Sequence, residues 1–175
     1  MTVRILIIVA VLVAAVLALA ATKPNTFHVQ RSISIKAPPE KIFALINDFH
    51  SWRVWAPQDK EDPTMNRTYS GPASGKGAIS DWDSSGSAGK GRMAIIESVA
   101  LSMISIKVDF VKPFEAHNIN EFTLEPTGAL TKVTWALQGT NLYIMKIISI
   151  CVNMDRVVGK HFESGLNNLK TVAEQ

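Results

Sequence analysis

The sequence predicts an α+β domain: one antiparallel sheet, apolar on a single face, covered by a long amphipathic helix at the C-terminus and preceded by a separate apolar helix. Three observations carry that expectation. Residues 5–21 are apolar without a break. From residue 27 to about 139, short stretches alternate apolar and polar side chains between turns rich in Gly, Pro and Ser. After residue 153 the period lengthens, and Met154, Val158, Phe162, Leu166, Leu169 and Ala173 recur at three and four residues. A sheet with one apolar face has to bury it, and the final helix is the element long enough to do so.

The first segment, "ILIIVAVLVAAVLALAA", is apolar on every side, which a water-facing helix would not be. It fits a membrane-spanning anchor, which needs about 20 apolar residues. A cleaved signal segment is the competing reading, and Ala18-Leu19-Ala20 has the small-x-small pattern of a cleavage site. Arg4 and the terminal amine favour a cytoplasmic N-terminus, with the remainder extracytoplasmic. Lys23 on the other flank opposes that orientation. Cleavage would instead release a secreted or periplasmic domain. The expected division is an anchor or signal segment over 1–22, a linker over 23–27 and one domain over 28–175.

Within the domain, "FHVQRSISIK" (27–36) puts Phe27, Val29, Arg31, Ile33 and Ile35 on one side of a strand. Pro39 suits the first turn of a helix, and "EKIFALIND" continues it until the aromatic stretch "FHSWRVWAP". The turns "PASGKG" and "SSGSAGKG" flank a short strand containing Trp82. Two hairpins follow, "RMAIIESVA" with "SMISIKVDFVK" and "AHNINEFTLE" with "LTKVTWALQG". The result is about seven strands.

A net charge of +3 with scattered Lys and Arg argues against nucleic acid as a partner. The single cysteine, Cys151, excludes an intrachain disulfide, and its apolar neighbours suggest a buried packing role. The four histidines share no metal-ligand spacing. No cofactor motif is present, so no cofactor is expected.

The chain resembles the polyketide cyclase/dehydrase-like branch of the START-like (SRPBCC, Bet v 1-like) superfamily. The residues that carry the resemblance are "SIKAPPEKIF" (34–43), "FHSWRVWAP" (49–57), "RTYSGPASGKGA" (67–78), "GKGRMAIIES" (89–98), "FEAHNINEFTLEP" (114–126) and "NMDRVVGKHFESGLNNLK" (153–170), in that order. The resemblance implies a helix-grip fold, in which a curved antiparallel sheet wraps the C-terminal helix around a hydrophobic cavity. It implies a lipid, polyketide or other apolar small molecule as partner. It does not imply a reaction.

Strand parity then nominates the lining of such a cavity: Trp82, Met93, Ile95, Ile106, Val108, Phe110, Phe122, Leu124 and Trp135 from the sheet, with Met154, Val158 and Phe162 from the helix. The same faces could instead form a filled core. Gly159 and Gly165 suggest some room beside the helix. Trp52 and Trp55 either close one end of the fold or form the rim of the pocket. Parity also turns Glu97, Asn118 and Asn120 inward, where buried polar groups need partners or a ligand. Two functions follow. One is a membrane-tethered binding module for a hydrophobic small molecule. The alternative is a cyclase or dehydratase type of enzyme, with Glu97 and His50 as weak acid–base candidates.

Overall fold

The computed structural model describes residues 2–58, 62, 64–86 and 88–175. Helix α1 (Thr2–Ala21) stands first, and only Ala20 of it is buried. Strand β1 (Thr26–Ile35) leads to α2 (Pro39–Asn47), a 3-10 turn (Phe49–Ser51) and a single-turn α3 (Trp52–Trp55). Six strands follow: β2 (Asn66–Ser70), β3 (Ile79–Asp83), β4 (Lys90–Val99), β5 (Met103–Lys112), β6 (Ala116–Thr127) and β7 (Leu130–Thr140). Helices α4 (Tyr143–Cys151) and α5 (Met154–Ala173) close the chain.

Among the described residues the strands form one antiparallel sheet in the order β1-β7-β6-β5-β4-β3-β2. The meander β2–β7 follows from the tight turns between alternating segments. Pairing of β1 with β7 brings the two ends of the domain together. Helix α5 packs on the inner face against β1 and β7, with α2 and α3 beside it. Pro39 opens α2 at a position where its missing N–H is not needed. The Asn153 side chain caps α5 by accepting from the Arg156 N–H.

Most inward residues follow the expected parity. Ile104, Ile106 and Val108 of β5, Asn118, Asn120, Phe122 and Leu124 of β6, and Val133 and Trp135 of β7 are buried. One strand departs from it. The β4–β5 register shifts between Ile95 and Glu97, so Ile95 pairs with Ile106 but Glu97 with Ser105. The extra residue, Ile96, flips everything beyond it to the other face.

Helix α4 is absent from the sequence expectation, although Tyr143, Ile144, Ile147, Ile148 and Cys151 have helical spacing. It also corrects the reading of Cys151, which is exposed at the end of α4.

Candidate ligand cavity

The two halves of α5 meet the sheet differently. From Phe162 onward its inward side is dry: Phe162, Leu166, Leu169 and Ala173 are at most 3% exposed. Trp135 is the hub of this end. It stacks on Phe162 at 4.2 Å and 13°, lies 4.8 Å from Phe122, and meets Trp52 and Trp55 edge-on. Its indole N–H donates to the Asn120 side-chain carbonyl at 3.1 Å. Trp52 and Trp55 donate to the Ile46 and Leu45 carbonyls, and the Trp55 carbonyl accepts from the Asn168 amide.

Trp52 and Trp55 therefore belong to the packed core, closing α3 onto α5, and neither lines a cavity. Their indole faces are taken by other aromatic rings and their N–H groups by backbone, which leaves nothing for a ligand. Ile95, Ile106, Phe122 and Leu124, also nominated as lining, are buried in the same core and line neither chamber. Gly165 and Gly159 do not open space. A Cβ at Gly165 would lie 2.7 Å from the Trp135 ring, and Gly159 gives way to the Arg31 guanidinium.

Before Phe162 the packing opens. A chamber of about 370 Å³ lies between α5 and the sheet, walled by Trp82, Met93, Val108, Asn120, Trp135 and Phe162. A larger one of about 580 Å³ lies toward α4, walled by residues such as Phe27, Val29, Phe114, Ala116, Asn118 and Met154. Phe110, Leu137 and Val158 border both. Ten of the seventeen nominated residues thus line one chamber or the other: Trp82, Met93, Val108, Phe110, Asn118, Asn120, Trp135, Met154, Val158 and Phe162.

The larger chamber draws on residues that sequence reasoning missed, chiefly Leu142 just before α4, Met145 within it and Phe114 from the β5–β6 connection. The helical spacing of α4 could have signalled the first two. Phe27, Val29 and Leu137 were visible as inward residues but were not assigned to the cavity. His161 and Arg67 line the smaller chamber, and their types alone gave no reason to bring them there.

Asn118 supplies the polar feature of the larger chamber. It is 8% exposed, and its side-chain carbonyl has no hydrogen-bond partner among the described residues. It sits opposite Gly139, where a Cβ would collide with its carboxamide. A buried carbonyl without a donor costs about 1–3 kcal/mol.

The two acid–base candidates lie elsewhere. Glu97 is exposed beyond the β4 bulge and reaches neither chamber. His50 is exposed too. Its ring nitrogen Nδ1 lies 2.8 Å from the Asp48 carboxylate, and its ring lies 4.1 Å from that of Tyr69. Asp48 also accepts the His50 backbone N–H, so this histidine belongs to the cap of the 3-10 turn. No cluster of potential metal ligands occurs among the described residues.

The hollow half of α5 is held by charge. The Arg31 Nε donates to Glu163 at 2.9 Å and its Nη2 to Asp155 at 3.0 Å, across Gly159. Hydrogen bonding to Arg31 holds the Asp155 carboxyl below its ordinary range.

A long helix gripped by a curved antiparallel sheet, with an apolar hollow between them, defines a helix-grip ligand-binding domain. The model of the family "Polyketide cyclase / dehydrase and lipid transport" matches residues 26–174, and the chain belongs to that family. Solved structures share the fold at low identity. Protein CV1439 from Chromobacterium violaceum is 16% identical, with 87% of this chain and 99% of that one covered and a TM-score of 0.61. The Aha1 dimer from Colwellia psychrerythraea is 18% identical, with 85% and 96% covered and a TM-score of 0.55. Ara h 8.0201 is 11% identical, with 85% and 97% covered and a TM-score of 0.57. No curated protein matches the sequence.

Proposed function

We propose that this protein is a membrane-tethered binding module for a hydrophobic small molecule of the lipid or polyketide kind. The ligand is held between the sheet and the N-terminal half of α5. The observation that carries the reading is the larger chamber, about 580 Å³ with mostly apolar walls and the Asn118 side chain among them. That volume is in the usual range for small-molecule sites, and a few fixed polar groups in an apolar wall are how such sites orient a ligand. The family description, which includes lipid transport, points the same way. The tether is α1, 20 residues long and apolar enough to cross a bilayer, and Arg4 ahead of its apolar run favours the domain on the extracytoplasmic side.

Asn118 sets the polarity of the ligand. Turned from Gly139 into the chamber, its unpartnered carbonyl would accept from an O–H or N–H on the bound molecule. Displacement of a fluorescent fatty acid by a long-chain alcohol and by the methyl ether of that alcohol tests this. The alcohol should bind roughly 2- to 10-fold better, the worth of one net hydrogen bond. Asn118→Leu should erase that preference without loss of thermal stability. A folded protein that binds none of the three probes rejects the binding reading. Equal affinity for alcohol and ether rejects the role of Asn118.

A further inference from the structure

We infer that α4 and the neighbouring β5–β6 connection form a bilayer-docking face, through which the larger chamber exchanges its ligand directly with the membrane that holds α1. The inference rests on the tether reading and adds an orientation and a route to it.

The linker after α1 is not free to swing. The Pro24 carbonyl accepts from the Asn141 side-chain amide, and the Asn25 carbonyl from the Asn141 backbone N–H. The Asn25 side chain accepts from the Lys146 ammonium, which is only 6% exposed. The linker is thus stapled to the β7–α4 connection and to α4 itself. Helix α4 also packs against α1, and the Tyr143 hydroxyl donates to the Leu17 carbonyl at 2.7 Å.

These contacts fix a depth. Helix α1 has 20 residues, about 30 Å of rise, which matches the hydrocarbon thickness of a bilayer. Leu17 lies four residues before its end, roughly 6 Å along the axis. A helix tied to Leu17 therefore sits at interfacial depth, where amphipathic helices lie about 5–10 Å into the headgroup boundary. Tyr143 is the kind of residue that favours that zone.

The exposed surface fits the location. Tyr143 and Ile144 of α4 are 47% and 40% exposed, and Val152 just beyond α4 is 39% exposed. Phe114 and Val111, on the β5–β6 side, are 51% and 59% exposed. A soluble protein has no reason to gather such residues at one end. They flank the larger chamber, whose wall includes Phe114, Leu142, Met145 and Pro24. An apolar ligand leaving the bilayer there would not cross water.

The test uses the full chain and its one cysteine, Cys151, exposed at the end of α4. The protein is labelled there with an environment-sensitive fluorophore and mixed with vesicles of phosphatidylcholine and a minor share of phosphatidylglycerol. Flotation reads the tether. Quenching by lipids carrying a nitroxide near the headgroup reads the docking face. A label at Ser74→Cys in a Cys151→Ser background, in the loop after β2, serves as the control. Transfer of a fluorescent fatty acid from vesicle to protein reads the route. The expected result is flotation, strong quenching at Cys151 and none at the control. Ile144→Asp should slow transfer by roughly tenfold, because it brings a carboxylate to the interface, while affinity for the probe in detergent stays unchanged. A chain that floats but shows equal quenching at both sites, or equal transfer by wild type and Ile144→Asp, overturns the docking face and leaves the tether standing. A chain that does not float overturns both.

Discussion

The two halves of α5 are covered by the same sheet yet solve opposite problems. From Phe162 to Ala173 the helix is sealed by aromatic packing around Trp135. From Met154 to Val158 it roofs two chambers, and Arg31 holds it with ion pairs to Asp155 and Glu163. The inner face of β7 shows the same gradient: Val133 and Trp135 are buried, while Leu137 and Gly139 are only partly so. Stability is concentrated at one end so that the other can stay hollow. A dry core is rigid and complementary to itself, whereas an unfilled apolar space gives up the contacts a ligand could make.

The largest effect should come from the sealed end. Trp135→Ala is expected to cost about 3–5 kcal/mol, the usual range for truncating a buried aromatic. Unfolding by denaturant measures it. A cost below about 1 kcal/mol would mean that the cluster is not the anchor of the fold and that the contrast between the halves is false.

The hollow end should respond the other way. Val158 is half-buried and borders both chambers. Adding volume to a filled core usually costs about 1–3 kcal/mol. Val158→Phe is expected to leave the melting temperature unchanged or raise it, and to weaken binding of a fluorescent fatty acid by roughly tenfold, about 1.4 kcal/mol. Strong destabilisation would mean that the space is already occupied by protein.

The contrast also explains what could be read in the sequence. The sheet, the succession of strands along the chain and the covering helix were legible because alternation and the 3–4 spacing report which side of an element is apolar. Apart from the β4 bulge, parity identified inward residues equally well at both ends. It could not separate Phe122, which is sealed, from Asn118 two pleats away, which lines a chamber. Whether an inward face meets another side chain or a void depends on distances between elements, and no single strand encodes these. Helix α4 was missed because only Lys146 and Ser149 interrupt its apolar run, a polar stripe too thin to mark the period. Its polar partner, Lys146, is spent on the linker at Asn25.

Acid should loosen the hollow end before the sealed one. The Asp155 carboxyl is held below its ordinary range by its hydrogen bond to Arg31. A depressed folded value means that the contribution is fully present above the unfolded value of about 3.9 and is lost as pH falls through the lower folded one. Probe binding should therefore weaken below about pH 4 while the tryptophan emission of the sealed end persists. Asp155→Asn should flatten this acid limb. An acid limb that is the same in wild type and variant would remove Arg31–Asp155 as the clasp.

The smallest effect is expected at Glu97, and it tests the point where parity failed. Even spacing from Met93 and Ile95 turns this carboxylate into the cavity. The bulge at Ile96 turns it out and pairs it with Ser105. An ionised carboxylate facing an apolar chamber would cost several kcal/mol unless paired, so the two placements differ sharply in what neutralising it should do. On the outer face, Glu97→Gln should change stability by less than about 0.5 kcal/mol and leave probe affinity and its pH dependence untouched. Inside the chamber, the same change would raise stability and alter both. A measurable change in binding would therefore place the register shift elsewhere along β4 and return an acid to the cavity. A silent substitution keeps Glu97 on the outer face and leaves Asn118 as the residue proposed to meet the polar end of a ligand in the larger chamber.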